Sequence, residues 1–177
     1  MASIAAGDRQ AMRTLYARRS TRVFRFLLRI VDNAATAEDL VSETFIEVWR
    51  QAGRFEARSK ASTWLLGIAR HKALSSLRGR RFDWLDHAAV ALVPDTSADP
   101  EADAQRQSRA TVLRACLRQL PPAQRELLDL IYYQEQSIAD VARIVGVPEN
   151  TVKTRAFYAR KRLAQLLAER GIESASV

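Results

Sequence analysis

Cationic, hydroxyl and aromatic side chains follow Gly146 and Pro148 in close succession. Arginine and lysine donate to guanine edges and phosphate oxygens, threonine bonds either base class, and phenylalanine contacts the methyl group of thymine. A helix that carries such groups along its N-terminal half is typical of a protein that binds the major groove of DNA. The residues that we expect to point outward there are Lys153, Thr154, Arg155, Phe157, Tyr158, Arg160, Lys161 and Arg162.

A helix-turn-helix would position these side chains. Ser137 is suited to cap a first helix, and Gly146 permits the positive φ of a tight turn. Pro148 fits the first turn of a second helix, where Asn150 or Thr151 would help to cap it. The spacing therefore predicts a helix-turn-helix, and a surface helix of ordinary Arg and Lys content is the alternative. The inner seam of the second helix is predicted to consist of Val152, Ala156, Ala159, Leu163 and Leu166.

Positive charge is concentrated in two blocks of the chain. Residues 1–82 hold 16 Lys+Arg and 7 Asp+Glu, and residues 111–177 hold 10 and 7. Between them, residues 83–110 hold 2 Lys+Arg and 6 Asp+Glu. Two basic blocks around an acidic one predict two nucleic-acid-facing modules joined by a tether. Solvated arginine-rich helices are the alternative.

Length and composition exclude several classes of protein. The chain has 177 residues, of which 47% are hydrophobic and 27% charged, as expected of one ordinary domain or two small ones. No apolar run approaches the length of a membrane-spanning helix, and the N-terminus lacks a signal pattern. A single cysteine, Cys116, excludes an internal disulfide. We therefore expect a basic cytoplasmic protein without membrane insertion.

No residues are spaced for catalysis. His71, His87 and Cys116 match no zinc pattern, and no glycine-rich phosphate loop is present. We therefore expect no enzymatic activity, no metal and no cofactor. The acidic residues of one predicted helix are interpreted as a docking surface or a solvated face, and these are Glu38, Asp39, Glu43 and Glu47.

Helical periodicity dominates the chain and predicts an all-α fold of two small helical domains. The predicted N-terminal domain covers residues 1–82, a flexible acidic linker covers 83–104, the C-terminal domain covers 105–170 and a tail covers 171–177. Pro94 and Pro100 support the linker. In the second helix, Thr36 and Asp39 are predicted to form a capping pair. The inner face of that helix is predicted to consist of Leu40, Val41, Thr44, Phe45, Val48 and Trp49.

Two segments resemble one known family. One segment resembles the C-terminal domain of an extracytoplasmic-function (group IV, sigma-70 family) RNA polymerase sigma factor. This segment is LPPAQRELLDLIYYQEQSIADVARIVGVPENTVKTRAFYARKRL. A second segment resembles the N-terminal domain of that family. It consists of AEDLVSETFIEVWRQAGRF followed by STWLLGIARHKALSSLR. The resemblance covers roughly residues 10–82 and 105–168, and no third sigma domain fits between them. It implies a subunit that binds core RNA polymerase and promoter DNA under the control of an anti-sigma factor, with no need to form a homo-oligomer.

The resemblance also implies three sets of site residues. Core-polymerase docking falls on Asp39, Ser42, Glu43 and Glu47. Contacts to the −10 element fall on Ser59, Lys60, Ser62, Arg70, His71, Lys72, Ser75, Arg78, Arg80 and Arg81. Contacts to the −35 element fall on Asn150, Thr151, Lys153, Thr154, Arg155, Phe157, Tyr158, Arg160 and Lys161.

The chain departs from the family pattern at several of these positions. Ser42 replaces a usual Gln of the docking helix. Ala61, His71 and Ser75 replace a usual Phe, Asn and Asp, which predicts an altered −10 preference. On the C-terminal helix, Asn150 stands for a common Gly and Tyr158 for a common Arg.

Two other functions remain open from the sequence. One is a sigma-like decoy that sequesters an anti-sigma protein, although such mimics usually carry a receiver domain that this chain lacks. The other is a plain helix-turn-helix regulator with an N-terminal ligand or dimerisation domain. The basic segment of residues 55–81 argues against the regulator, because a ligand domain has no need of it.

Overall fold

The all-α prediction is confirmed. In a computed structural model, residues 1–83 and 110–171 are described, and these ranges contain helices and turns but no strand. The N-terminal unit consists of α1 (Ala2–Ala5), α2 (Arg9–Val31), α3 (Ala34–Gln51), a 3₁₀ turn (Ala52–Arg54) and α4 (Ala61–Asp83). The C-terminal unit consists of α5 (residues 110–118), α6 (Pro122–Leu128), a π turn (Asp129–Tyr133), α7 (Ile138–Val145) and α8 (Glu149–Ala168). Nearly all of the predicted linker, and the tail beyond residue 171, lie outside the described residues.

Side-chain caps fix the ends of the first long helices. The Asp8 carboxylate accepts from two backbone N–H groups of the first turn of α2, at 2.8 and 3.0 Å. Asp32, in the left-handed region with φ 51°, ends that helix. The Asn33 side chain caps α3 by accepting from the backbone N–H of Thr36 at 2.9 Å. The predicted capping pair of Thr36 and Asp39 is therefore wrong, because Asn33 already supplies the acceptor.

Helices α2, α3 and α4 pack around an apolar core. The predicted inner face of α3 is confirmed except at Trp49, whose side chain is 36% exposed. Each residue turns a helix by about 100°, which carries Trp49 to the edge of the buried stripe. The buried core residues of the three helices are Val23, Phe26, Leu27, Val31, Ala37, Leu40, Val41, Phe45, Val48, Leu65, Leu66, Ala69 and Ala73.

The C-terminal unit contains the predicted helix-turn-helix. Gly146 has φ 75° and donates its N–H to the Ala142 carbonyl at 2.8 Å, which closes the turn after α7. Pro148 occupies the cap position of α8, so the predicted capping by Asn150 or Thr151 is wrong: both lie inside the helix. The predicted seam of α8 is confirmed, with Leu163 half-buried and Val152, Ala156, Ala159 and Leu166 buried.

The two units also pack against each other. Helix α7 lies on α4, and its Val141, Ala142 and Ile144 belong to the same apolar cluster as the core of the N-terminal unit. A second cluster, formed by α5, α6 and α8, includes Cys116 and Leu128. The sequence predicts the two bundles but not their contact.

The N-terminus of α7 carries a charged cap. The Ser137 hydroxyl accepts from the backbone N–H of Asp140 at 3.1 Å and donates to its carboxylate at 2.6 Å. This hydrogen bond holds the pKa of Asp140 below its ordinary value, and Arg143 contributes in the same direction. The charge of Asp140 therefore stabilises the folded state.

We expect Asp140→Asn to lower the free energy of unfolding by about 1 kcal/mol at neutral pH. Because the folded-state pKa lies below the unfolded one, this contribution is present above a pH of about 4 and is lost as the pH falls through the folded pKa. The difference between wild type and variant should shrink in acid, as measured by urea unfolding across pH. Glu149→Gln, a change at an exposed carboxylate, serves as control. If the difference in the free energy of unfolding between wild type and Asp140→Asn does not vary with pH, the charge of Asp140 does not stabilise the fold.

Candidate nucleic-acid interface

The outer surface of α8 exposes large aromatic side chains. Phe157 is 55% exposed and Tyr158 57% exposed, and their rings meet edge to face at 5.5 Å. Lys153, Thr154 and Arg155 are exposed on the preceding turn. Aromatic rings among cations at a helix surface indicate a binding face, because exposed apolar surface is stabilised when a partner covers it. We call these five residues, with Arg160 and Lys161, the recognition surface.

The structure places the predicted −35 residues together along α8. Asn150 and the recognition surface are exposed, whereas Thr151 is half-buried. Arg160 donates to the hydroxyl of Tyr132 at 3.2 Å. Sequence reasoning missed Tyr132, because it lies in the π turn, where the α-helical period no longer assigns side chains to faces. The structure reveals Tyr132 as an exposed ring beside the recognition surface.

A second surface lies on the outside of α3. Asp39, Ser42 and Glu43 are exposed there, as predicted. Glu47 is largely covered and accepts from the side-chain amide of Gln51. That hydrogen bond holds the pKa of Glu47 below its ordinary value. Three of the four predicted docking residues are therefore exposed to solvent.

An apolar residue lies among these acids. Ile46 is 60% exposed and projects from the same side of α3 as Ser42 and Arg50, which are one turn away in each direction. Trp49, three residues along and 36% exposed, lies beside it, so two apolar side chains adjoin the exposed acids of α3. Sequence reasoning passed over Ile46, although an apolar residue at an outward position of an amphipathic helix was a usable signal.

One open groove is lined by part of both predicted sets, namely the docking residues Asp39, Glu43 and Glu47 and the −10 residues Ser59, His71, Lys72 and Ser75. Helix α3 forms one wall, α4 and the loop before it form the other, and Arg143 and Ile144 of α7 close one side. Across the groove, the Lys72 ammonium contacts the Glu43 carboxylate at 3.0 Å. A predicted DNA-binding cation is thus paired with a predicted docking carboxylate.

Aromatic packing positions the loop before α4. The Phe55 ring lies 5.3 Å from that of Trp64, and Ala57 adopts the left-handed φ of 54° between them in sequence. The loop carries two of the predicted −10 residues: Ser59 is half-buried at the groove and Lys60 is exposed. The Phe55–Trp64 contact therefore fixes the start of the predicted base-binding surface.

The remaining predicted −10 residues follow α4. Ser62 is half-buried, and His71, Ser75 and Arg78 are exposed. Arg70 differs from them, because its guanidinium pairs with the Glu126 carboxylate of α6 at 2.7 and 3.3 Å and its side chain is only 20% exposed. Arg80 and Arg81 lie in the last turns of α4, and their side chains are outside the described part of the structure.

Residues 1–83 and 110–171 contain neither a metal site nor a membrane-spanning helix. These ranges hold no group of three histidine, cysteine, aspartate or glutamate side chains close enough to ligate a metal. Within the same ranges, no helix has both the length and the apolar character needed to cross a bilayer. Cys116 is buried and donates its thiol to the Leu166 carbonyl at 3.4 Å.

Two family descriptions match the chain, one for each unit. Sigma-70 region 2 matches residues 15–82, and Sigma-70, region 4 matches residues 110–163. The two matches together cover more than half of the chain and follow the order of the two units.

Curated relatives match along most of the chain. The RNA polymerase sigma factor CarQ of Myxococcus xanthus is 32% identical, over 96% of this chain and 96% of its own length. The ECF RNA polymerase sigma factor SigL of Mycobacterium tuberculosis is 31% identical over 95% of each chain. The ECF RNA polymerase sigma factor BldN of Streptomyces coelicolor is 34% identical over 93% of this chain, which spans 63% of that relative's length.

Solved structures share the fold. The sigma factor RpoE from Bartonella quintana, in a co-crystal structure with the anti-sigma factor NepR, superposes with a TM-score of 0.74 at 26% identity, covering 90% of this chain and 98% of that one. CnrH, solved in complex with the cytosolic domain of CnrY, superposes with a TM-score of 0.69 at 21% identity, covering 95% and 94%. The second likeness concerns the fold alone.

Substitutions in the buried seam of α8 should lower the free energy of unfolding, whereas substitutions in the recognition surface should leave it nearly unchanged. We expect Ala159→Leu, at a fully buried position, to lower the free energy of unfolding by about 1–3 kcal/mol, because the added methyl groups have no space. Phe157→Ala, at an exposed position, should change it by no more than about 0.5 kcal/mol. Thermal unfolding followed by circular dichroism measures both. Ala168→Leu, the same change at an exposed position of α8, is the matched control, and equal losses in both Leu variants would contradict the assigned seam.

Proposed function

Because the chain belongs to the extracytoplasmic-function group of the sigma-70 family of RNA polymerase sigma factors, we propose that it directs transcription initiation. It binds core RNA polymerase, recognises the −35 and −10 elements of promoters and helps to open the DNA. The observation that carries this proposal is the recognition surface of α8, which presents cations, a threonine and two aromatic rings on a helix set by the Gly146 turn.

The recognition surface contacts the −35 element. Lys153 and Arg155 donate to a guanine edge or a phosphate, and Thr154 bonds either base class. Phe157 packs on a thymine methyl group. Arg160 lies one turn further along α8, where the Tyr132 hydroxyl supports it, and contacts the phosphate backbone.

The loop before α4 and the helix itself contact the −10 element. Opening a duplex without ATP hydrolysis draws on the free energy of binding unstacked bases, which requires cations for phosphates and polar groups for bases. Lys60 and Arg78 supply exposed cations, Ser59 and His71 supply polar groups along the groove, and Ser62 adds a half-buried hydroxyl at the start of α4. His71 and Ser75, which depart from the family pattern, alter the preferred −10 sequence.

The outer surface of α3 docks on polymerase. Asp39 and Glu43 provide negative charge, and Ile46 provides an apolar centre that becomes buried on docking. The clamp helices of the largest polymerase subunit are the partner that the family resemblance implies for this helix. Ser42 offers a hydroxyl where the family usually has the longer Gln, so one contact differs from the family pattern.

An anti-sigma factor controls the protein. A solved relative with the same fold, at 26% identity over 90% of this chain, is bound to the anti-sigma factor NepR. The protein acts in the cytoplasm, where RNA polymerase transcribes, and has no enzymatic activity of its own. The protein determines which promoters RNA polymerase transcribes.

Run-off transcription provides the direct test. Core RNA polymerase is incubated with a library of promoter fragments, with and without the protein. Transcripts that start only in its presence support the proposal. A protein that binds an anti-sigma factor yet starts no transcript with core polymerase would be a decoy, and the proposal would then be rejected.

We expect Glu43→Lys to abolish core-polymerase binding, because it places a cation where an anion is needed. Loss of the exposed Glu43–Lys72 pair should lower the free energy of unfolding by no more than about 1 kcal/mol. Affinity for core polymerase is measured by fluorescence anisotropy. Glu38→Lys makes the same charge change on the same helix, about 140° around its axis, and is the matched control. Unaltered affinity in Glu43→Lys would rule out this docking surface.

We expect Thr154→Ala and Phe157→Ala to change which −35 sequences are used, because a base-edge contact contributes roughly 1–3 kcal/mol of discrimination. Arg160→Ala and Lys161→Ala should weaken every promoter alike and reduce the salt dependence of binding, because phosphate contacts carry no sequence information. Transcription from a randomised −35 library measures all four variants. If both Thr154→Ala and Phe157→Ala keep the wild-type preference, α8 does not contact bases as assigned.

A further inference from the structure

The π turn presents two neighbouring tyrosines to solvent. Leu130 of the turn is fully buried, whereas Tyr132 is 55% exposed and Tyr133 is 45% exposed. The turn is closed by the Gln134 N–H, which donates at 3.0 Å to the carbonyl of Asp129, five residues back. Single π turns of this kind occur frequently at functional sites. The contacts of the two exposed rings are therefore informative.

The two tyrosines contact different arginines. The Tyr133 ring lies against the Arg29 guanidinium of α2, which is 4.1 Å from the centre of the ring. The Tyr132 hydroxyl instead accepts from Nη1 of Arg160, on α8, at 3.2 Å. Although they are adjacent in sequence, Tyr133 contacts the N-terminal unit and Tyr132 contacts the recognition surface.

Arg160 keeps its positive charge in this contact. Its partner is a neutral hydroxyl, whereas the partners of Arg70 and Arg29 are carboxylates. A carboxylate would offset the charge that attracts a phosphate group, and a hydroxyl does not. A guanidinium has five N–H donors, and the hydrogen bond to Tyr132 uses one of them. Tyr132 therefore orients the guanidinium and leaves its charge and most of its donors exposed for another partner.

The position of Arg160 on α8 suits a contact to DNA. Lys153, Phe157 and Arg160 are separated by four and three residues, so they share one face of the helix. All three side chains are exposed. Arg160 is thus held at the end of a row of residues that we assign to the −35 element. An arginine side chain loses considerable rotamer entropy when a ligand immobilises it, and a side chain ordered beforehand loses less.

We propose that Tyr132 is a positioning residue for promoter binding. Its hydroxyl holds the Arg160 guanidinium in the orientation that engages a backbone phosphate of the −35 element. The surface that supports DNA binding therefore extends beyond α8 into the π turn. The inference rests on the proposed function for its DNA partner, and on the structure alone for the contact between the two side chains.

The order of the Arg160 side chain tests the contact without DNA. Nitrogen-15 relaxation of the arginine Nε–H groups is measured in the full chain. We expect Arg160 to be ordered in the wild type and mobile in Tyr132→Phe, which removes only the hydroxyl of an exposed side chain. Tyr133→Phe makes the same change at the neighbouring exposed tyrosine and should leave Arg160 ordered. Equal mobility of Arg160 in all three chains would overturn the proposal.

Promoter binding tests the positioning role. Core RNA polymerase is assembled with each full-length variant and bound to promoter fragments that carry a randomised −35 segment. We expect Tyr132→Phe to weaken binding roughly two- to tenfold, because one oriented hydrogen bond is lost. The loss should be alike for every sequence, since a phosphate contact carries no sequence information. Tyr133→Phe is the matched control and should bind as the wild type does.

The salt dependence separates positioning from charge. Tyr132→Phe keeps the Arg160 cation, so its salt slope should equal that of the wild type. Arg160→Ala loses one phosphate contact, so its slope should fall by about 0.9. The Tyr132→Phe, Arg160→Ala double variant should bind no more weakly than Arg160→Ala alone, because the hydroxyl acts through the guanidinium. Additive losses in the double variant would overturn the positioning role.

The two kinds of measurement separate this inference from the proposed function. Wild-type affinity in Tyr132→Phe, with Arg160 mobile in that variant, would overturn the role of the contact in DNA binding. Absence of promoter binding by every chain would reject the proposed function instead, since the relaxation measurement uses no DNA.

Discussion

Burial of the Asp129 carboxylate is the constraint on which the arrangement of the two units depends. A buried charge destabilises a fold unless a partner compensates it, and here Arg29 of α2 is that partner. The π turn that carries Asp129 leads directly into α7, and α7 sets the direction of α8 through the Gly146 turn. The pair of Arg29 with the buried Asp129, together with the packing of α7 on α4, therefore relates the recognition surface to the N-terminal unit.

The helix-turn-helix was predictable because its determinants are local. A serine cap, a glycine with positive φ and a seam at helical spacing lie within about thirty residues, and each acts on its immediate neighbours. The exposed acidic face of α3 was predictable for the same reason, since Asp39 and Glu43 lie one turn apart on a helix. The family resemblance added the order of the two units and the partners of each surface.

The parts that sequence reasoning missed depend on residues far apart in the chain. Arg70 meets Glu126 across 56 positions, and Arg29 meets Asp129 across 100. No periodicity within one helix encodes such pairs, so the sequence assigned Arg70 to DNA and did not reveal its carboxylate partner Glu126. Trp49 was wrongly assigned to the inner face of α3, because it lies at the margin of the buried stripe. Tyr132 was missed because it lies within the π turn, where the α-helical period does not apply.

In α8, the residues that hold the helix in place and those that face outward are two separate sets. Val152, Ala156 and Ala159 are buried, whereas Thr154 and Phe157 project away from them. Under the proposed function, promoter preference can therefore change without a matching change in the protein core. Gene duplicates that share this framework can diverge rapidly in target sequence, and an engineer can introduce a new specificity while the scaffold is left intact.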